Sequence, residues 1–122
     1  MTPETASPGQ KRRDLDQRVR EAVNRLLRRL PVTVGEVKGP ALVFGSTARG
    51  DARPESDVDV LLILERDDLA TRRHVFDLAF DVFLETDVLI SPLVVSPARL
   101  AAMRRDGRRL IREIERDGVP VS

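Results

Sequence analysis

The sequence predicts an α/β protein of the two-layer α+β kind, in which a small mixed β-sheet of three or four strands packs against helices. Three observations carry that expectation. Long stretches place their apolar residues three and four apart, short runs are dense in Val, Leu and Ile, and the two kinds of segment alternate along the chain.

Lys11–Leu30 sets Leu15, Val19, Ala22, Val23, Leu26, Leu27 and Leu30 on one helical stripe, and Pro31 is expected to end that helix. Val32–Pro40 reads as a loop with a short strand at Val32–Val34, and Ala41–Phe44 as a buried strand between Pro40 and Gly45. Gly45–Ser56 is a turn region in which Ser46 caps a helical turn over Thr47–Arg49 and Gly50 closes it. Asp57–Leu64 is the strongest strand. Its gap from Ala41–Phe44 is too short for a full crossover helix, which makes the sheet mixed.

Leu69–Glu85 returns to helical spacing, and Phe76, Phe80 and Phe83 are expected in the core. Val88–Val95 is a third strand, placed at an edge or a bulge by Pro92. Ser96-Pro97 is an N-cap followed by Pro at the first helical position, opening a helix over 98–117 that breaks near Gly107. Gly118 and Pro120 stop it. The chain divides into a flexible tail at 1–10, without the apolar core of a signal peptide, and one domain at 11–122.

With 122 residues, 41% hydrophobic and 34% charged, the composition is that of a globular protein with one modest core. No apolar run reaches the roughly 20 residues of a membrane span. The net charge of +1 and an aromatic content of 3% argue against a nucleic-acid partner. The absence of Cys removes thiolate metal sites and disulfides and fits a cytoplasmic location. A homo-oligomer is compatible with everything in the sequence.

The chemistry concentrates in Ala41–Leu64. Side chains alternate along a strand, so Asp57 and Asp59 share one face at a spacing of about 6.5 Å. Leu61 and Ile63 continue that face, while Val58, Val60, Leu62 and Leu64 cover the other. Two hard oxygen ligands at a strand start suit Mg²⁺, which takes one or two carboxylates and completes its shell with water and substrate phosphates. In the preceding turn, Gly45 permits close backbone approach, Ser46 supplies a hydroxyl, and Arg49 offers a forked phosphate donor. A phosphate cradle beside a metal-binding pair is what phosphoryl or nucleotidyl transfer needs.

Gly45-Ser46, ten residues, then Asp57-Val58-Asp59 resembles the signature of the DNA polymerase β-like nucleotidyltransferase superfamily, and FGSTARGDARPESDVDVLLIL is similar to its minimal nucleotidyltransferase branch. The resemblance implies the nucleotidyltransferase fold. It implies that Ser46 contacts the triphosphate of an NTP, ATP being the expected one, while Asp57 and Asp59 hold Mg²⁺. It also implies transfer of a nucleoside monophosphate to an acceptor hydroxyl, with release of pyrophosphate. Within the minimal branch the expected partner is a helical HEPN-type protein, with this chain the antitoxin of a toxin–antitoxin pair. Such enzymes carry a third carboxylate on a neighbouring strand. Here Ser91 and Pro92 stand where it is expected, and Asp87 is the nearest substitute, ahead of Asp81 and Glu85.

The alternative is a catalytically weak or inactive nucleotide-binding module that regulates a partner by direct contact, which a missing third acid favours. A small-molecule nucleotidyltransferase of the aminoglycoside type fits less well, because those carry extra domains. His74, the one histidine, reads as a surface residue, and the arginines between Arg99 and Arg116 as a solvated helix face.

Overall fold

A computed structural model of the protein describes residues 15–53 and 56–122. The tail at 1–10 and the expected first residues of the leading helix, 11–14, lie outside them.

Helix α1 spans Gln17–Thr33, opened by Asp16, whose carboxylate accepts from the Arg18 N–H at 2.8 Å. Ala22, Val23, Leu26 and Leu30 are buried on its inner stripe. Pro31 does not end it, contrary to expectation. The ring removes one donor in the final turn, but the buried Leu30 keeps its helical place and its carbonyl accepts from the Val34 N–H at 2.8 Å. Val32 is therefore helical and 90% exposed, and the short strand expected at Val32–Val34 is absent.

The sheet holds β1 (Ala41–Phe44), β2 (Val58–Ile63), β3 (Ile90–Val95) and β4 (Val119–Val121), in the spatial order β3-β2-β1-β4. β1 runs antiparallel to both β2 and β4, whereas β2 and β3 are parallel, so the sheet is mixed as expected. α3 (Leu69–Thr86) makes the parallel pairing possible by carrying the chain from the end of β2 back to the start of β3. The alternation read from β2 is realised. Val58, Val60, Leu62 and Leu64 join the core beneath α1 and α3, and Leu61 joins a second cluster with Leu100, Met103, Ile111 and Ile114. Those last four lie on α4 (Pro97–Arg105) and α5 (Arg109–Asp117), which cover the sheet's other face.

β4 is an element the sequence reading missed. Gly118 and Pro120 look like stop signals, yet Val119 and Val121 are 1% and 2% exposed and pair with Val43 and Ala41. Pro120 is tolerated because β4 is an edge strand. Gly118 is required by crowding: a Cβ there would lie 2.5 Å from the Ile114 carbonyl oxygen and 3.3 Å from Leu42 Cβ.

β3 is the other edge. The Val58 N–H donates to the Leu89 carbonyl and the Leu64 N–H to that of Val95, so the odd residues of β3 bond β2 and the even ones face outward. Pro92 falls on an outward position, where its missing N–H costs no ladder bond.

On α3 the buried residues are Thr71, Val75, Ala79 and Val82. Phe76 and Phe80, expected in the core, are 52% and 53% exposed, and Phe83 is only half-buried. Apolar residues occupy more than one stripe of this helix, and spacing alone does not say which stripe meets the sheet. Ser96 caps α4 by accepting from the Arg99 N–H at 3.2 Å, and Gly107, at φ 67°, separates α4 from α5.

Candidate active site

β1 delivers Phe44 directly opposite Asp59 of β2, and the chain then turns at Gly45 into α2 (Ser46–Arg49). Gly45, not Ser46, is the N-cap, which corrects the expected capping role of Ser46. With φ 75° and ψ −151°, Gly45 lies in a region other residues rarely occupy. A Cβ there would stand 2.6 Å from Asp59 Oδ2. Its missing side chain therefore makes room first for the Asp59 carboxylate. Ser46 is the first helical residue, and its hydroxyl makes no hydrogen bond among the described residues, so it is available to a ligand. Gly50, left-handed at φ 83°, closes the turn as expected.

Asp57 is exposed just before β2, and Asp59 is half-buried within it. Burial raises the Asp59 carboxyl above its ordinary range, the neighbouring Asp57 charge adds to that, and Arg49 opposes it. The two acids and the arginine thus share one electrostatic neighbourhood. Arg49 also stands 3.6 Å from Asp51, with both side chains more than half exposed. Such a pair is weak and leaves the guanidinium free to turn to an anion.

Ser91 is the register partner of Asp59 on β3, so the neighbouring-strand position expected to hold a third carboxylate holds a hydroxyl. Asp87 is the exposed C-cap residue of α3, left-handed at φ 63°, its N–H donating to the Phe83 carbonyl at 2.8 Å. Among the described residues no set of three or more His, Cys, Asp and Glu side chains is grouped to hold a metal. Asp57 and Asp59 alone still fit Mg²⁺, since that ion takes one or two protein carboxylates and substrate oxygens for the rest. A cation there would also offset the charge repulsion that Asp59 bears.

One part of the site left no sequence signal. A cleft of about 320 Å³ opens beside the turn, walled by Phe44, Gly45 and Arg49 on one side and by Leu110, Glu113 and Ile114 of α5 on the other. More than sixty residues separate the two walls in the chain, and helical spacing in α5 marks only its buried stripe.

The chain is similar to known proteins. The family model described as "Nucleotidyltransferase domain" matches residues 17–117. A Methanocaldococcus jannaschii protein named "Putative protein adenylyltransferase" is 43% identical over 54 residues, which are 43% of this chain and 54% of the relative. The matched stretch therefore spans about half of that relative's length. A crystal structure of a "putative nucleotidyltransferase" from Sulfolobus solfataricus covers 85% of this chain and 76% of its own, with a TM-score of 0.46 and 19% identity. Among the described residues no helix is long and apolar enough to cross a membrane.

Proposed function

Since this chain belongs to the nucleotidyltransferase domain family, we propose that it transfers AMP from ATP to a hydroxyl of a partner protein. The observation that carries the reading is the packing of the Gly45-Ser46 turn against Asp59, with Asp57 close enough to disturb the Asp59 charge. Asp57 and Asp59 would hold Mg²⁺, which when bound supplies neutralisation of the phosphate charge. Ser46 donates its hydroxyl to a phosphate oxygen, and Arg49 swings from Asp51 to the same triphosphate. The acceptor oxygen forms a bond to the α-phosphorus as the bond to pyrophosphate breaks. With Ser91 beside Asp59, the acceptor's proton passes to Asp59 or to a group that the acceptor brings.

A protein acceptor is supported by the name of the Methanocaldococcus jannaschii relative. The resemblance to minimal nucleotidyltransferases supports a helical HEPN-type acceptor, with this chain as the antitoxin that modifies it. The test is incubation with α-labelled ATP, Mg²⁺ and the protein encoded next to this one, beside an Asp57→Ala/Asp59→Ala control. Label on the partner that disappears in the control is the expected result. The second reading, a nucleotide-binding module acting by contact alone, is favoured by Ser91 in place of a carboxylate. Saturable ATP binding without transfer would sink the catalytic reading and leave that one.

A further inference from the structure

α3 has an outer apolar face as well as its buried one. Leu69, Phe76, Phe80 and Leu84 are 62%, 52%, 53% and 67% exposed. Grouped exposed rings mark a contact surface rather than ordinary surface scatter. Their spacing is that of a heptad seam: Leu69, Phe76 and Phe83 recur every seven residues at d, and Phe80 follows Phe76 by four at a. Arg72 and Asp77 then occupy the flanking g and e positions.

The charges choose the occupant. In two parallel helices, residue g of one faces residue e of the other, five positions on. Arg72 of each copy would meet Asp77 of the second copy, and the pairing recurs across the two-fold. An antiparallel pair centred on Phe76 and Phe80 would instead set Asp77 against its own copy. Arg72 lends only Nε, to the Asp67 carbonyl at 2.8 Å, and Asp77 makes no hydrogen bond or ion pair among the described residues. Strand addition at the adjacent β3 edge is disfavoured, because Pro92 deletes the central outward donor.

We propose that the outer face of α3 is the interface of a homodimer, packed in parallel on α3 of a second copy through Phe76 and Phe80 and closed by reciprocal Arg72–Asp77 ion pairs. Arg73 occupies the remaining a position and repels its counterpart, so the dimer is concentration-dependent. The interface is independent of the nucleotide reading, and its test reads mass, not label transfer.

Sedimentation equilibrium of the full chain should show the mass rising from 13.7 kDa toward twice that value with concentration. Phe80→Glu should hold it at 13.7 kDa while the circular-dichroism melt stays cooperative. Arg72→Asp and Asp77→Arg should each weaken the dimer about tenfold, and together restore it. The protein has no cysteine, so Leu69→Cys reports orientation cleanly. In a parallel dimer it oxidises to a linked pair, whereas in the antiparallel one the two positions lie roughly 27 Å apart and stay unlinked. A chain that is monomeric at every concentration overturns the proposal. A dimer indifferent to Phe80→Glu, or a wild-type dimer in which Leu69→Cys fails to cross-link, overturns it as well.

Discussion

Gly45 and Asp59 are in direct contact: a Cβ on Gly45 would lie 2.6 Å from Asp59 Oδ2. The Gly45-Ser46 turn and the acidic start of β2 are thus packed together, and the backbone of the turn sets where the Asp59 carboxylate can stand. Phe44 and Asp59 are register partners, so the β1–β2 ladder holds the contact in place.

Gly45→Ala should therefore damage both stability and chemistry. The backbone conformation alone costs an L-residue about 1–3 kcal/mol, and the new methyl must also displace the Asp59 carboxylate. Expected outcomes are a lower melting temperature and a loss of Mg²⁺-dependent label transfer. A variant that melts and transfers like the wild type would show that the turn does not position Asp59.

Asp59→Asn should separate function from stability. The Asp59 carboxyl is raised by burial and by Asp57, so the folded state holds its proton more tightly than the unfolded state. Its stabilising contribution is complete below the ordinary carboxylate range and is lost as pH rises through the elevated folded value. At neutral pH the charged group is a liability. Asp59→Asn should then abolish transfer while raising the melting temperature at pH 8, with the gain vanishing near pH 4. Mg²⁺ should raise the wild-type melting temperature and leave the variant unchanged, and EDTA should reverse that rise. An equal loss of stability at both pH values would contradict this account.

Much of the fold was legible because β2 states its two faces outright. Val58, Val60, Leu62 and Leu64 alternate with the acids, Leu61 and Ile63, and the structure packs the first four beneath α1 and α3 and Leu61 and Ile63 against α4 and α5. Ser96-Pro97 and Gly107 were legible for a similar reason, since capping and left-handed turns are local chemistry. Tertiary packing decided the rest. Leu30, sealed in the core, carries α1 past Pro31, and Val119 and Val121 make a strand because the edge of β1 is open to them. Phe76 and Phe80 fit helical spacing equally well on an inner or an outer stripe. In the candidate site, local pattern was enough to single out Asp57, Asp59 and Ser46. The α5 wall of the cleft was not, because nothing in α5 refers to the turn it faces.

Ser91→Asp tests the β3 position beside Asp59. Ser91 pairs in register with Asp59, and adjacent strands lie about 4.8 Å apart, so the new carboxylate would stand beside the existing one. Without metal, a third like charge should lower the melting temperature. With Mg²⁺ or Mn²⁺ the same charge becomes a ligand, and calorimetric affinity should rise about tenfold or more. Unchanged affinity would mean that the β3 position does not face the metal.

Asp67 governs a different part of the molecule, and its pH dependence has the opposite sign to that of Asp59. Its Oδ2 accepts from the Ser96 N–H and from Arg99 Nε, each at 3.0 Å, tying the turn after β2 to the start of α4. Ser96 is itself the cap of α4, so Asp67 holds the residue that holds the helix. The Ser96 N–H is the largest cause that keeps the Asp67 carboxyl below its ordinary range, with Arg99 assisting. A depressed value stabilises the fold above the ordinary carboxylate range and loses that contribution as pH falls through the folded value. Asp67→Ala leaves the partly buried Ser96 N–H without its acceptor and should cost about 1–2 kcal/mol at pH 7. For a domain of this size that lowers the melting temperature by several degrees. The gap from wild type should narrow as pH drops toward 3, because protonation weakens the same contacts in the wild type. Nucleotide affinity should be unaffected, as Asp67 follows β2 at the end opposite to the one that carries Asp57. Thermal melts from pH 3 to pH 7 decide the matter: a gap constant across that range would mean that the Asp67 charge contributes nothing and only its shape does.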